Sequence, residues 1–251
     1  MHTIAAGRGH AALVRHGKGS EMVLATGNPV RVDARLDAAI SRWLWLVKWL
    51  LLIPHFIILA FLWIAFVVVT VIAFFAILFT ARYPRGLFDF NLGVLRWSWR
   101  VHFYGYSALG TDRYPPFTLG EAADYPATLH IAYPERLSRG LVLVKWWLLA
   151  IPHYVIITFF IGGSYNMTGR YGAVVYTVAY STAGLIAWLV LVVGIALMFT
   201  ARYPRGIFDF VLGMDRWVLR VGTYISLMSD SYPPFRLDQG GADPAQPVDE
   251  P

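Results

Sequence analysis

The sequence predicts an all-α integral membrane protein built from a tandem duplicated unit, with about four transmembrane helices and two interfacial amphipathic helices. Three observations predict it. Apolar residues fall in long runs, a block of motifs occurs twice, and arginines flank the runs.

The 251 residues are 57% hydrophobic and only 14% charged, with a mean hydropathy of +0.54. A soluble domain of this size is usually about half apolar and about a quarter charged. The excess sits chiefly at 43–79, 141–160 and 173–199, and about 20 apolar residues suffice to cross the hydrocarbon layer as helix. A net charge of +6 and a pI near 9.6 raise the question of nucleic acid. The bases, however, are not clustered with interleaved aromatics into a reading surface. They flank the apolar runs, where cytoplasmic loops and anionic headgroups attract them. The expected partner is therefore a phospholipid membrane with anionic headgroups, with a membrane protein as a further candidate, and not nucleic acid. The absence of cysteine excludes disulfides, thiolate metal sites and a thiol nucleophile.

The chain divides in two. Thr80-Ala81-Arg82-Tyr83-Pro84-Arg85-Gly86 recurs as Thr200-Ala201-Arg202-Tyr203-Pro204-Arg205-Gly206, each followed by an apolar residue and Phe-Asp-Phe. Upstream, Val47-Lys48-Trp49 and Ile53-Pro54-His55 match Val144-Lys145-Trp146 and Ile151-Pro152-His153. Downstream, Asp112-Arg113-Tyr114-Pro115-Pro116-Phe117 matches Asp230-Ser231-Tyr232-Pro233-Pro234-Phe235. Units at 28–117 and 125–235 follow, joined by a linker at 118–124. The stretch 1–27, basic and without an apolar signal core, is expected to be a disordered tail. So is the acidic stretch 236–251.

The second unit holds an insertion around 162–172, rich in glycine and small polar residues, which reads as an aqueous loop between two spans, 138–160 and 173–199. In the first unit the run 43–79 is too long for one span and tight for two. Charge decides between them. Arg31, Arg35 and Arg42, then Arg82 and Arg85, then Arg136 and Arg139, then Arg202 and Arg205 flank every junction except the glycine loop. Arginine-rich loops face the cytoplasm, which requires an even number of crossings per unit. The expectation is four spans, both termini cytoplasmic, in a multi-pass protein of the plasma membrane, with a tight turn near 60–63. The alternative is one span in the first unit, kinked at Pro54. The alternating stretches Val30–Ala34 and 128–132 are candidates for a small two-stranded β element paired across the repeat.

After each Arg-Tyr-Pro-Arg-Gly turn comes an amphipathic helix. Asp89, Gly93, Arg96 and Arg100 share one face by helical spacing, as do Asp209, Gly213, Arg216 and Arg220. A narrow polar stripe on an aromatic-rich helix suits the headgroup region, with each Asp in the favourable first turn. The lipid- or partner-binding candidates are these residues with Arg82, Arg85, Arg202 and Arg205. The alternative is a stripe packed on the protein's own loops, with Asp and Arg paired internally.

His55 and His153 are the intramembrane polar candidates. Two such histidines are the raw material of a b-type haem site, but a His beside Pro can also satisfy the carbonyl that the proline leaves unpaired, and no cofactor or metal is expected. Lys48 and Lys145 are expected to snorkel to the interface. No phosphate-binding glycine loop, His-Glu-x-x-His or Gly-x-Ser-x-Gly is present, and nothing argues for an enzyme.

Ile-Pro-His, then Arg-Tyr-Pro-Arg-Gly-x-Phe-Asp-Phe, then Arg-Trp-x-x-Arg-Val, then Tyr-Pro-Pro-Phe together resemble the bacterial membrane proteins grouped as domain of unknown function 4389, over about 28–235. The resemblance implies a bacterial plasma-membrane protein with the unit in tandem. It brings no activity, cofactor or catalytic residue. The functional expectation is a non-enzymatic auxiliary, scaffold or lipid-interacting protein; the alternative is a small pseudo-symmetric transporter or channel component.

Overall fold

The computed structural model describes residues 28–172, 174–240 and 243; the stretch 1–27 and its expected disorder lie outside them. Strand β1, Val30–Ala34, leads into helix α1, Lys48–Thr80, and helix α2, Arg85–Tyr104. The second unit opens with β2, Ala127–Ile131, and a short helix α3, Leu141–Val144, that runs on as a π turn over Lys145–Leu149. Then come α4, Ile151–Ile161, a hairpin of β3, Gly162–Tyr171, and β4, Val174–Ala183, and helices α5, Leu185–Thr200, and α6, Arg205–Ile225.

This is not the all-α multi-pass protein that the hydropathy predicts. Helix α1 runs unbroken through 60–63, so the expected turn is absent. Leu, Ile, Val and Phe without an internal glycine give the chain no reason to reverse there. At 33 residues it is about 50 Å long. Pro54 stands in its second turn, where the missing N–H leaves the Leu50 carbonyl without its helical donor, and the helix nevertheless continues. The expected span 173–199 is divided between β4 and the 16-residue α5. Val, Tyr and Thr dominate 174–183, and such residues favour a pleated strand over a helix at equal hydropathy. The expected aqueous loop at 162–172 is the partner strand, paired from Gly162 with Ala183 to Tyr171 with Val174. Among the described residues, one helix, α1, is long and apolar enough to cross a membrane by itself. The inference that both termini are cytoplasmic loses its basis with the even number of crossings.

The two units meet at β1 and β2, which pair antiparallel, from Val30 with Ile131 to Ala34 with Ala127, centred on Val32 with Leu129. Alternate residues of both strands are buried. The repeat aligns Pro29 with Pro126, hence Val32 with Leu129. Each strand therefore pairs with its own counterpart in a self-complementary register, the geometry of a two-fold axis. Strand β1 packs on α6 and β2 packs on α2, so each unit's strand lies on the other unit's helix. Helices α2 and α6 are interior elements. Helix α2 is held between α1 and β2, and α6 between α5 and β1, which corrects the expectation that they lie in the headgroup layer.

Helices α1 and α5 end alike. Ala81 and Ala201 adopt the left-handed conformation, φ 57° and 54°. Thr80 and Thr200 donate to Ala76 O and Ala196 O, and their hydroxyls accept from the N–H of Arg82 and Arg202. The turn thus folds α2 and α6 back onto the preceding helix.

Candidate functional site

Each unit closes around its histidine and lysine in the same way. Lys48 is fully buried; its Nζ donates to Thr111 O at 2.7 Å and pairs with Asp112 at 3.1 Å. Lys145 is buried too, donating to Ser229 O at 3.0 Å and pairing with Asp230 at 2.8 Å. The same carboxylates accept from the backbone N–H of Ser41 and Ser138. Neither lysine snorkels. A buried ammonium needs a paired charge and further hydrogen bonds, and each unit supplies both from the residues just before its Tyr-Pro-Pro-Phe.

His55 and His153 are fully buried. The indole Nε1 of Trp97 donates to His55 Nδ1 at 2.9 Å, and that of Trp217 to His153 Nδ1 at 3.1 Å. An accepting Nδ1 places the proton of a neutral ring on Nε2, which has no hydrogen-bond partner among the described residues in either unit. Phe117 stacks on His55 at 4.0 Å and Phe235 on His153 at 4.5 Å, with Tyr114 and Tyr232 tilted against the rings at 4.9 Å. The imidazoles do not cap the helix carbonyls; Tyr114 and Tyr232 donate to Leu51 O and Leu149 O instead. Trp97, Trp217 and the Tyr-Pro-Pro-Phe aromatics are the site residues that sequence reasoning left without a role. Their signal was there, since each recurs at the matched position of both units.

The stripe of basic residues divides into buried and exposed halves. Arg100, Arg216 and Arg220 are 2%, 0% and 3% exposed. Arg96 Nε donates to Leu129 O at 3.0 Å, and its guanidinium pairs with Glu121. Arg216 Nε donates to Val32 O at 2.8 Å and its Nη1 to Asp238 O at 2.8 Å. Arg220 pairs with Asp238 and, at 2.8 Å, with Asp243; these acids belong to the stretch expected as a disordered tail and lie buried. Among the described residues Arg100 donates only to the carbonyls of Gly120, at 2.9 Å, and Thr118. Gly93 lets this segment close over α2, because a Cβ there would stand 2.8 Å from Leu119. Burial pulls the Arg100 guanidinium below its ordinary pKa, with Tyr125 opposing the shift and Arg96 adding to it. It pulls Arg216 down as well, against Asp243, Asp33 and Asp238.

Arg82, Arg85, Arg202 and Arg205 are exposed. Arg85 lies over the Tyr133 ring at 4.5 Å and pairs with Asp89 at 3.4 Å. Asp89 and Asp209 lie a turn beyond the start of their helices, not in the first turn, because the helices begin at Arg85 and Arg205. Arg202, Arg205 and Asp209 border a cavity of about 550 Å³ with Arg35 and Asp37. One acid stands apart. Asp215, at the position of Leu95 in the first unit, is buried with Oδ2 unpartnered among the described residues, and burial pushes its carboxyl well above the usual range.

Residues 42–118 and 172–236, together more than half of the chain, match the family described as domain of unknown function (DUF4389). The chain belongs to the DUF4389 family. The two matched segments agree with a tandem DUF4389 unit, and each ends at its Tyr-Pro-Pro-Phe, the segment that closes the histidine box. No curated protein and no solved structure matches the chain.

Proposed function

We propose that this protein is a non-enzymatic membrane component of the bacterial cell, anchored by α1, whose folded body serves as a scaffold or lipid-interacting auxiliary. The carrying observation is the outer face of α1. Only 17% of its most apolar stretch is buried, with Phe61 70%, Ile64 64% and Phe79 72% exposed. The core helix of a soluble protein hides such a surface, and monomers in water seldom expose so large an apolar patch. An apolar groove of about 670 Å³, bordered by Phe66, Phe74, Trp146 and Ile225, suits a lipid acyl chain. The non-enzymatic part rests on how the polar groups are engaged: both buried lysines, Arg96, Arg216 and Arg220 are held within the chain itself.

Alkaline carbonate extraction of membranes from expressing cells tests the reading. The chain is expected to stay in the pellet and to be released by detergent. Recovery in the carbonate supernatant would overturn the membrane anchor. Retention together with a stoichiometric protein on mild-detergent purification favours the scaffold; bound phospholipid alone favours lipid interaction.

A further inference from the structure

The pseudo-symmetry exposes a mismatch of charge. Arg100 and Arg220 occupy matched positions on α2 and α6, and both are almost fully buried. In the second unit two carboxylates, Asp238 and Asp243, neutralise Arg220. Asp238 lies three residues beyond Phe235 of Tyr-Pro-Pro-Phe, and Asp243 eight beyond. Three beyond Phe117 stands Gly120, and eight beyond stands Tyr125. Both acids are missing from the first unit. Gly120 offers its carbonyl, and the Tyr125 hydroxyl donates to Arg100 O and Arg113 O. Among the described residues the Nε of both arginines lacks a partner, so the units differ in charge and not in how that atom is served.

Beside Arg100 lies an open cavity of about 430 Å³, bordered also by Arg31, Arg96, Glu121 and His130. Arg31 pairs with Asp33 and Arg96 with Glu121, which leaves the charge of Arg100 uncompensated among the bordering groups. We propose that this cavity is a carboxylate-binding site, in which a ligand carboxylate takes the place held in the second unit by Asp238 and Asp243. Three features point to a carboxylate. The matched arginine already holds two of them, the planar guanidinium suits that group, and the cavity has room for a small acid or an acidic side chain. The lowered proton affinity of Arg100, opposed by Tyr125 but by no carboxylate, agrees with a buried cation that lacks its counter-ion. The site does not depend on the membrane anchor, so failure of one reading leaves the other standing.

The full chain in detergent micelles provides the test. Its unfolding midpoint is expected to rise by roughly 2–4 °C with saturating succinate and not with sodium chloride of equal ionic strength. Gly120→Asp supplies the missing acid from within. A Cβ at Gly120 meets only Thr118 Oγ1, at 3.3 Å, a hydroxyl that must give by a few tenths of an ångström; the variant is expected to melt higher without ligand and to lose the succinate response. Sodium phosphate acting as strongly as succinate, or a variant responding like the wild type, would overturn the carboxylate assignment. Should the variant not fold, the Nε–H resonance of ¹⁵N-labelled Arg100 in the wild type decides: movement with succinate alone supports the site, and none refutes it. A blocked peptide with the sequence of 237–243, run beside succinate, distinguishes an acidic chain segment from a free acid as the better ligand.

Discussion

Arg216 of α6 donates its Nε–H to the carbonyl of Val32, 184 residues away in the chain, at 2.8 Å. Arg96 of α2 makes the matching bond to Leu129 at 3.0 Å. Each helix thus holds the strand of the other unit, about an axis through the Val32–Leu129 pair. Neither half contains its own complete core. Residues 28–122 and 123–243 expressed separately are expected to be insoluble or unfolded, and to purify as a one-to-one complex when co-expressed. Independent folding of either half by circular dichroism would contradict the exchange.

Removing one partner of a buried ion pair strands the other, at a cost of about 3–5 kcal/mol. Arg220→Gln takes from Asp238 and Asp243 the buried cation that they share, leaving Asp238 its pair with the more exposed Arg236. Arg100→Gln leaves only carbonyls behind and, in the absence of ligand, removes an uncompensated charge. The first variant is expected to lose far more stability than the second in denaturant unfolding. Equal losses would refute the contrast between the units.

Asp215 carries a pH signature. Its carboxyl titrates above the ordinary value of about 3.9 because burial disfavours the anion. The folded state holds this proton more tightly than the unfolded state, so its contribution to stability is full at low pH. That contribution falls as pH rises through the folded pKa. Asp215→Leu, which copies Leu95, is expected to gain roughly 1–3 kcal/mol at alkaline pH, with the gain shrinking toward about pH 4. Melting curves across that range check it; a gain independent of pH would refute the titration.

Ala81 and Ala201 sit in a left-handed conformation that glycine adopts freely. The strain for a residue with a Cβ is about 1–2 kcal/mol, partly offset by the greater chain entropy of unfolded glycine. Ala81→Gly and Ala201→Gly are each expected to stabilise by up to about 1 kcal/mol. Destabilisation by either, in chemical denaturation, would show that the left-handed alanines carry no net strain.

Much of the repeat was legible in the sequence, and the reasons are local. Matched motifs reveal the tandem unit with which the family match agrees, and alternation in Val30–Ala34 marks a strand because one face is buried. The spans were misread because hydropathy alone does not separate a helix from a strand of equal apolarity, as Val174–Ala183 demonstrates. The arginine stripe stays open between a lipid face and the protein's own loops for a different reason. Spacing puts Arg96 and Arg100 on one face but cannot say what covers it, and the covering groups, Leu129 and Gly120, lie in segments remote in sequence. Lys48 was misjudged likewise, since its counter-ion Asp112 lies beyond two helices.

The self-complementary pairing of β1 with β2 bears on the protein's ancestry. A single unit with this geometry can satisfy its strand and its helix only against a second copy of itself, so the simplest forerunner is a homodimer that exchanged strands. Joining the copies in one polypeptide freed matched positions from having to be identical. Gly120 opposite Asp238 and Leu95 opposite Asp215 record that freedom: a symmetric dimer must carry both copies of every specialisation, whereas the fused chain can open a pocket on one side and seal it on the other.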